Sequence, residues 1–311
     1  MRFPVIPAKA GIQLFQILKN SLDSGFHRSD DFLRDHQLWY FGFESYSVPS
    51  VAKNEKMNKI SVAVITKNEE QNICACLESV RWADEIVVVD NGSTDETRQI
   101  CQDFQARVYL EEWKGFSRQK NSALEKTRNE WVLSLDADER VSPDLRQEIE
   151  WTLEGNPLCD GYYIARKNFF LGRWIRHCGW YPDYNLRLFR KDRGRFGERA
   201  VHEQVELEGK VGYLKNPLEH ITYRSLSDFL KRMDRYSTLA AREMRSEGRR
   251  YHFYNACFRP PFTFLQMYLL RAGFLEGYLG FLLSVLYSFY TFAKYSKLKE
   301  LQDNEILGHQ K

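Results

Sequence analysis

Short apolar runs alternate with longer mixed segments from residue 59 onward. Residues 60–65, 85–89 and 131–135 are largely apolar or β-branched, and 107–110 is a fourth, shorter run. Such runs are typical of buried parallel strands. Segments with helical spacing lie between them, so the order of elements predicts an α/β fold with a mostly parallel central sheet and helices on both faces.

Polar side chains stand where three of these predicted strands end. Thr66 follows the first strand, Asp90 the second, and Asp136-Ala137-Asp138 the last. In parallel sheets, ligands bind at the carboxyl ends of the strands. Two carboxylates one residue apart can share Mg²⁺ or Mn²⁺, which prefers oxygen ligands and keeps places for substrate phosphates. An isolated Asp-Ala-Asp is also read as a solvated acidic turn, but three polar strand ends at one edge favour a nucleotide site.

Composition adds limits rather than a function. The 311 residues are 43% hydrophobic and 28% charged, with a net charge of +3, which indicates a globular protein of one or two domains. The six scattered cysteines lack paired spacing, which argues against a zinc site and fits a reducing compartment. Nucleic-acid binding is not expected, because the basic residues accompany an apolar stretch and not a groove motif.

Residues 1–56 show no sustained periodicity and are interrupted by proline and glycine. The stretches PVIPAKAGIQ and LDSGFHRSDD resemble translated interspersed-repeat DNA. Met57 stands directly before the first strong strand. We expect a poorly ordered, non-functional leader and a functional chain that starts near Met57, with a targeting arm as the alternative.

Residues 226–311 have the pattern of helices that lie on a membrane. Apolar residues recur at helical spacing over 227–247, and residues 224–259 hold nine Arg or Lys against four Asp or Glu. A basic amphipathic helix suits an anionic lipid surface. Residues 277–293 carry no charge but are marginal for crossing a bilayer. Interfacial, monotopic helices are therefore favoured over a membrane span or an oligomer face, and the oligomeric state is left open.

Four segments together resemble the family 2 inverting glycosyltransferases of the GT-A fold: SVAVITKNEEQNI, EIVVVDNGSTDET, GFSRQKNSAL and LSLDADE. They occur in the family's order within residues 59–225, and the chain is most like lipopolysaccharide-core β-1,4-glucosyltransferases. The resemblance implies a catalytic domain over 57–225, a UDP-sugar donor, transfer of glucose to an inner-core heptose on lipid A, and a place at the cytoplasmic face of the bacterial inner membrane. A polyprenyl-phosphate acceptor and a non-catalytic nucleotide-binding membrane protein are the alternatives.

The resemblance also implies donor-binding roles. Thr66 and Glu69 line the uridine pocket, Asp90 accepts hydrogen bonds from uracil or ribose, and Lys120, with Arg118, contacts the diphosphate. Local alternatives stay open for three of these residues. Asp90 fits a turn or N-cap, Glu69 fits a first-turn residue that complements the helix dipole, and Lys120 fits a solvated basic helix face.

A metal site is implied at the Asp-Ala-Asp. Asp136 would touch ribose or metal, and Asp138 the metal itself, so that the cation neutralises charge on the departing diphosphate. His220 is a candidate to complete the metal shell. A structural role for a lone histidine remains the alternative.

An inverting transfer needs a base that takes the proton of the acceptor hydroxyl. The carboxylates after the Asp-Ala-Asp are the candidates, and the resemblance favours Glu203, with Glu198 next; Asp183 and Glu206 are the others. A surface strand is the alternative for Glu203.

Residues 173–191 mix arginine, tryptophan and tyrosine, and Trp180, Tyr181 and Asp183 form the centre of the segment. Aromatic faces stack on sugar rings and arginine pairs with phosphate, so the segment is interpreted as an acceptor-facing wall. A packed β-hairpin with basic edges is the alternative.

Overall fold

The computed structural model describes residues 58–197 and 204–308, with side chains described as far as residue 304. These residues belong to two compact units. One contains the chain up to Arg232 together with Leu265–Val285, and the other contains Met233–Phe264 and the chain from Leu286. The leader 1–56 and the candidate bases Glu198 and Glu203 lie outside the described residues, so their predictions stay predictions, as does the domain boundary at residue 225.

The first half of the larger unit alternates strands and helices. They are β1 (Ile60–Thr66), α1 (Glu70–Ser79), β2 (Glu85–Asp90), α2 (Thr97–Asp103), β3 (Arg107–Leu110), α3 (Phe116–Lys126) and β4 (Trp131–Asp136). The four strands pair in parallel in the order β3-β2-β1-β4. Thr66 lies in register with Asp90, and Ile65 with Asp136, so the predicted polar sheet edge exists.

The second half adds short and mostly antiparallel pairings. Its elements are β5 (Glu139–Arg140), α4 (Pro143–Leu153), β6 (Gly161–Phe170), β7 (Arg173–Trp174), β8 (Asp183–Arg190), β9 (Gly194–Phe196), β10 (Val205–Leu207), β11 (Val211–Tyr213) and β12 (Leu218–Tyr223). Beyond β4 the sheet continues as β8-β6-β12-β5, while β9 and β10 form a separate pair. This order puts His220 in register with both Glu139 and Asn168, which brings residues distant in sequence to one place.

Strand alternation distributes the core over two faces of the sheet. Val62 and Val64 pack in the cluster that contains Ile73 of α1 and Leu145 of α4, whereas Ala63 packs with Leu124 of α3. All six side chains are buried. The predicted α/β class, with helices on both faces, is confirmed.

The C-terminal part of the chain is helical. It contains α5 (Leu226–Ser246), α6 (Phe253–Leu265), a π-helical turn (Gln266–Leu270), a 3₁₀ turn (Gly273–Glu276) and α7 (Tyr278–Gly308). The smaller unit has its own core, in which Ala241 and Met244 meet Tyr295 and Leu298. Among the described residues, no helix combines the length and the apolar content that a membrane crossing requires.

Glu111, directly after β3, ties this loop to α3. Its carboxylate accepts hydrogen bonds from Ser122 Oγ at 2.7 Å and Lys114 Nζ at 3.0 Å, and it lies 2.5 Å from Lys126 Nζ. Burial would raise the pKa of Glu111, but the three donors outweigh it and lower the pKa from 4.5 to about 2. The ionised form therefore stabilises the fold fully above pH 4.5, and this contribution is lost as the pH falls toward 2.

We expect Glu111→Gln to lower the free energy of unfolding by about 1–3 kcal/mol at pH 7, because the three donors lose their anionic partner. The difference from wild type should shrink as the pH falls below 4.5, where the wild-type carboxylate begins to protonate. Urea unfolding at several pH values measures it. Glu125→Gln, an exposed change on α3, is the control, and a loss that does not vary with pH would contradict the assignment.

Candidate functional site

Asp136 ends β4 with its carboxylate between two cations. Lys120 Nζ lies 2.9 Å from Oδ1, and Arg187 Nη2 donates to Oδ2 at 2.7 Å. Burial would raise the pKa of Asp136, but Lys120 and Arg187 outweigh it and hold the pKa well below its ordinary value. Asp136 is therefore an anion at neutral pH. Lys120 and Asp136, which were both predicted to bind the sugar-nucleotide donor, form an ion pair with each other.

Glu139, which was not among the residues predicted from the sequence, binds both Arg187 and the backbone of Asp136. Its side chain is fully buried, and it receives Arg187 Nη2 at 2.5 Å and the backbone N–H of Asp136 at 3.0 Å. Arg166 Nη1 lies 3.8 Å away. The available signal was Arg187, a charged residue within the apolar run of β8, because a buried charge requires a partner.

Asp138 faces His220. Asp138 Oδ2 lies 3.4 Å from His220 Nε2, and the carbonyl oxygen of Asp138 accepts a hydrogen bond from the backbone N–H of Ile221. Burial would raise the pKa of Asp138, but His220 in its charged form, with a proton on Nε2, outweighs that effect and lowers the pKa. His220 lies within β12.

Asn168 fixes the tautomer of His220. Asn168 Nδ2 donates to the carbonyl oxygen of Trp180 at 3.0 Å, which directs Oδ1 toward His220 Nδ1 at 2.7 Å. Since an amide oxygen only accepts, Nδ1 carries the proton and the lone pair of a neutral imidazole is on Nε2, toward Asp138. A nitrogen lone pair and a carboxylate oxygen turned toward each other fit a shared cation.

Few protein side chains are nevertheless placed to act as metal ligands. Within the described ranges, no group of three or more His, Cys, Asp or Glu side chains is arranged to hold a metal ion. Asp138 and His220 would supply two ligands, with Asp136 beside them. Substrate phosphate oxygens and water would have to supply the remainder, as is common for Mg²⁺.

A continuous polar network joins the two aspartates of the motif. From Asn168, Nδ2 reaches Asp183 Oδ2 at 3.3 Å, and Asp183 pairs with Arg166 Nη2 at 2.6 Å. Arg166 also lies near Glu139, and Glu139 is connected through Arg187 to Asp136. We call this the aspartate network; its members are Asp136, Asp138, Glu139, Arg166, Asn168, Asp183, Arg187 and His220.

The predicted acceptor wall is buried at its centre. Asp183 is 6% exposed and engaged by Arg166, and Trp180 is 8% exposed with its ring against Phe170. Tyr181 is half-buried with its ring edge-on to Trp174. The acceptor roles of Trp180, Tyr181 and Asp183 stay predictions, and the contacts of Asp183 are those of a residue that holds the network together.

The predicted uridine-binding residues differ in whether their side-chain oxygens already have hydrogen-bond partners. Thr66 Oγ1 is buried without a hydrogen-bond partner among the described residues, as a group awaiting a ligand would be. Asp90 is fully buried, and its carboxylate accepts hydrogen bonds from Ser93 N and Oγ. These are the contacts of the turn aspartate that the sequence left open. Its role toward uracil stays a prediction.

Glu69 stands at a polar pocket of about 310 Å³. Burial raises the pKa of Glu69, although its hydrogen bond from Asn72 acts in the opposite direction. The pocket lies between the start of α1 and the segment from Ile221 to Arg232, and it is within the size range of small-molecule sites. Its lining residues are Asn68, Glu69, Glu70, Gln71, Asn72, Asp95, Ile221, Thr222, Arg224, Ser225, Asp228 and Arg232.

Known proteins have sequences related to that of this chain. A family model described as "Glycosyl transferase family 2" matches residues 61–212. Lipopolysaccharide core biosynthesis glycosyltransferase LpsC of Rhizobium meliloti is 34% identical over 251 residues, which cover 76% of this chain and 91% of LpsC. An uncharacterized glycosyltransferase of Rickettsia typhi is 30% identical over 258 residues, covering 79% and 88%. Among solved structures, S. aureus TarS 1–349 in complex with UDP has a TM-score of 0.40 at 18% identity, covering 79% of this chain and 92% of that chain.

We expect Arg187→Met to lower the free energy of unfolding by about 3–5 kcal/mol, because it leaves Glu139 buried without its cation. The double variant with Glu139→Gln should recover part of that loss. Urea unfolding of the two single variants and the double variant measures the coupling. Arg190→Met is the control on the same strand, since Arg190 pairs with the half-exposed Glu130 and should cost about 1 kcal/mol or less. Strictly additive losses at Arg187 and Glu139 would contradict the assignment.

Proposed function

The chain belongs to glycosyl transferase family 2, and we propose that it transfers a sugar, most simply glucose, from a UDP-sugar donor to the inner-core heptose of lipopolysaccharide. The observation that carries the acceptor class is the 34% identity to a lipopolysaccharide core glycosyltransferase across 91% of that protein's length. The sugar and the UDP donor are carried by the resemblance of the sequence motifs.

The donor would lie along the carboxyl edge of β1, β2 and β4. Thr66 Oγ1, which is buried without a hydrogen-bond partner among the described residues, would meet a donor hydroxyl or ring atom. Asp90, at the end of β2, lies in register with Thr66, and Glu69 lies on the loop after β1. Lys120 and Arg187 keep Asp136 anionic, and Lys120 provides positive charge close to the diphosphate. Because Lys120 and Arg187 contact Asp136 and not Asp138, Asp138 would be the aspartate that binds a metal cation.

Asp138 and His220 would hold Mg²⁺ or Mn²⁺, with Asp136 beside them and substrate phosphate oxygens or water as the remaining ligands. When bound, the ion supplies electrostatic stabilisation to the leaving diphosphate. Asn168 contributes by fixing the Nδ1–H tautomer of His220, so that Nε2 is already turned toward Asp138 before any cation arrives. This pre-orientation lowers the reorganisation that binding requires.

The acceptor would enter on the side of Trp180 and Tyr181. Glu203 is the proposed base, which takes the proton from the attacking heptose hydroxyl and thereby makes the oxygen nucleophilic. Glu206, another candidate, is exposed on β10, which supports it less. The basic helical region 226–311 would rest on the cytoplasmic face of the inner membrane, where a lipid A acceptor is presented.

A screen of UDP-sugars against truncated core acceptors tests the function, with the linkage of the product read by NMR. We expect transfer of one hexose to a heptose-terminated acceptor. We expect Glu203→Gln to lower kcat by about 10²–10⁴-fold while UDP binding is retained; Glu206→Gln is the matched control. Transfer only to polyprenyl phosphate would favour that alternative acceptor, and binding without any transfer would favour the non-catalytic alternative.

The metal assignment has a readout that does not need turnover. Titration calorimetry of UDP with and without Mn²⁺ should show Mn²⁺-dependent affinity in the wild type. His220→Ala should weaken that dependence by about 10–100-fold, and Asn168→Leu should weaken it in the same direction because the histidine loses its orientation. His252→Ala, an exposed histidine in the smaller unit, is the control. Unchanged Mn²⁺ dependence in His220→Ala would remove His220 from the metal shell.

A further inference from the structure

Glu276 is a buried carboxylate that holds a segment about a hundred residues earlier in the chain. It is 3% exposed and lies at the end of the 3₁₀ turn Gly273–Glu276. Its Oε1 accepts hydrogen bonds from Arg176 N at 2.9 Å and His177 N at 3.2 Å, and it lies 2.7 Å from His177 Nδ1. Arg173 Nη2 is 3.5 Å from Oε2. One carboxylate thus fixes the backbone at the start of the acceptor wall.

Further contacts fix residues 178–180 of the acceptor wall. Cys178 N donates to the carbonyl oxygen of Arg271 at 2.9 Å. Gly179 has a positive φ of 79°, which favours glycine, and its backbone lies against the side chain of Arg271. Trp180 then accepts from Asn168 through its carbonyl oxygen. Residues 176–180 are therefore held by the Glu276 turn on one side and by the residue that orients His220 on the other.

The same turn presents apolar side chains outward. Phe274 is 49% exposed and Leu275 57%, directly before the buried Glu276. Residues flanking the turn add to this surface, which we call the apolar face; it consists of Leu269, Leu270, Phe274, Leu275, Tyr278 and Phe281, all exposed. In Leu265–Val285 the only charged residues are Arg271 and Glu276, so the face carries no exposed acidic side chain.

The surroundings of the turn are basic. Arg173, which pairs with Glu276, has a side chain that is 56% exposed. Arg176 is exposed as well, and its guanidinium lies over the ring of Trp174 at 4.3 Å. Exposed Leu, Phe and Tyr bordered by arginine suit the boundary between acyl chains and anionic headgroups.

We propose that the apolar face rests on an anionic lipid surface and that Glu276 sets the position of the acceptor wall relative to that surface. The inference rests on the proposed function, since a lipid-anchored acceptor is what the wall would receive. It adds to that function the lipid-contacting residues and a positioning residue, Glu276, that connects them to the site. Membrane contact and acceptor geometry then depend on one four-residue turn.

Vesicle co-sedimentation of the full chain tests the surface. We expect binding to phosphatidylcholine vesicles that contain phosphatidylglycerol, weaker binding to phosphatidylcholine alone and weaker binding at high salt. The double variant Phe274→Glu/Leu275→Glu should bind about 10-fold less. Leu158→Glu is the control, because Leu158 is 81% exposed in the same unit but outside the apolar face. Equal vesicle binding by the double variant overturns the proposal, as does a stable dimer that buries the face and binds no vesicles.

Transfer kinetics test the positioning role. With a water-soluble truncated acceptor, the Phe274→Glu/Leu275→Glu variant should keep its activity and lose it only toward acceptor embedded in vesicles. Glu276→Gln should raise KM for both acceptors by about 10-fold with Mn²⁺-dependent UDP binding and vesicle binding unchanged. Unchanged acceptor KM in a folded Glu276→Gln overturns the positioning role. Should that variant not fold, His177→Gln, which removes a single partner of Glu276, carries the same expectation.

The proposed function and the lipid-binding surface can be refuted independently of each other. A wild type that binds anionic vesicles through the apolar face but transfers no sugar to any core acceptor refutes the proposed function and leaves the surface supported. A wild type that transfers sugar but does not bind vesicles refutes the surface and leaves the proposed function supported.

Discussion

The buried pair of Glu139 and Arg187 is the interaction on which the candidate site depends. Removing two charges from water costs several kcal/mol per ion, and attraction offsets that cost only when the remaining hydrogen-bonding groups are also satisfied. Glu139 meets this condition by receiving the backbone N–H of Asp136 as well as Arg187. Because Arg187 also reaches Asp136, the pair fixes the end of β4, where the Asp-Ala-Asp begins.

The charges of the aspartate network do not balance within it. Asp136, Asp138, Glu139 and Asp183 are opposed by Arg166, Arg187 and the adjoining Lys120, which leaves one more carboxylate than cation. The cations lie on Asp136, Glu139 and Asp183, whereas Asp138 has the imidazole of His220 as its near neighbour. Asp138 is thus the carboxylate of the network that has no lysine or arginine ion pair among the described residues, although the charge of Arg232 also acts on it, and a divalent cation would be drawn to it.

Local sequence pattern was sufficient for the strands, for the helices on both faces and for the polar edge at Thr66, Asp90 and Asp136, because these follow from periodicity and from parallel pairing. It was insufficient for Glu139 and Asn168. Their importance comes from the pairing of β5 and β6 with β12, which joins segments about eighty and fifty residues apart. Family resemblance singled out His220 but not the amide that orients it. For Asp90, the local alternative accounts for the observed contacts, since Ser93 occupies its carboxylate.

The most direct test of the account is the position of Mn²⁺ in crystals grown with UDP, located by anomalous scattering at the manganese edge. We predict an anomalous peak within about 2.0–2.4 Å of Asp138 Oδ2 and His220 Nε2, with diphosphate oxygens completing the shell and Asn168 Oδ1 still on His220 Nδ1. A UDP-bound crystal in which manganese lies away from Asp138, or in which His220 has turned away from Asn168, would contradict it.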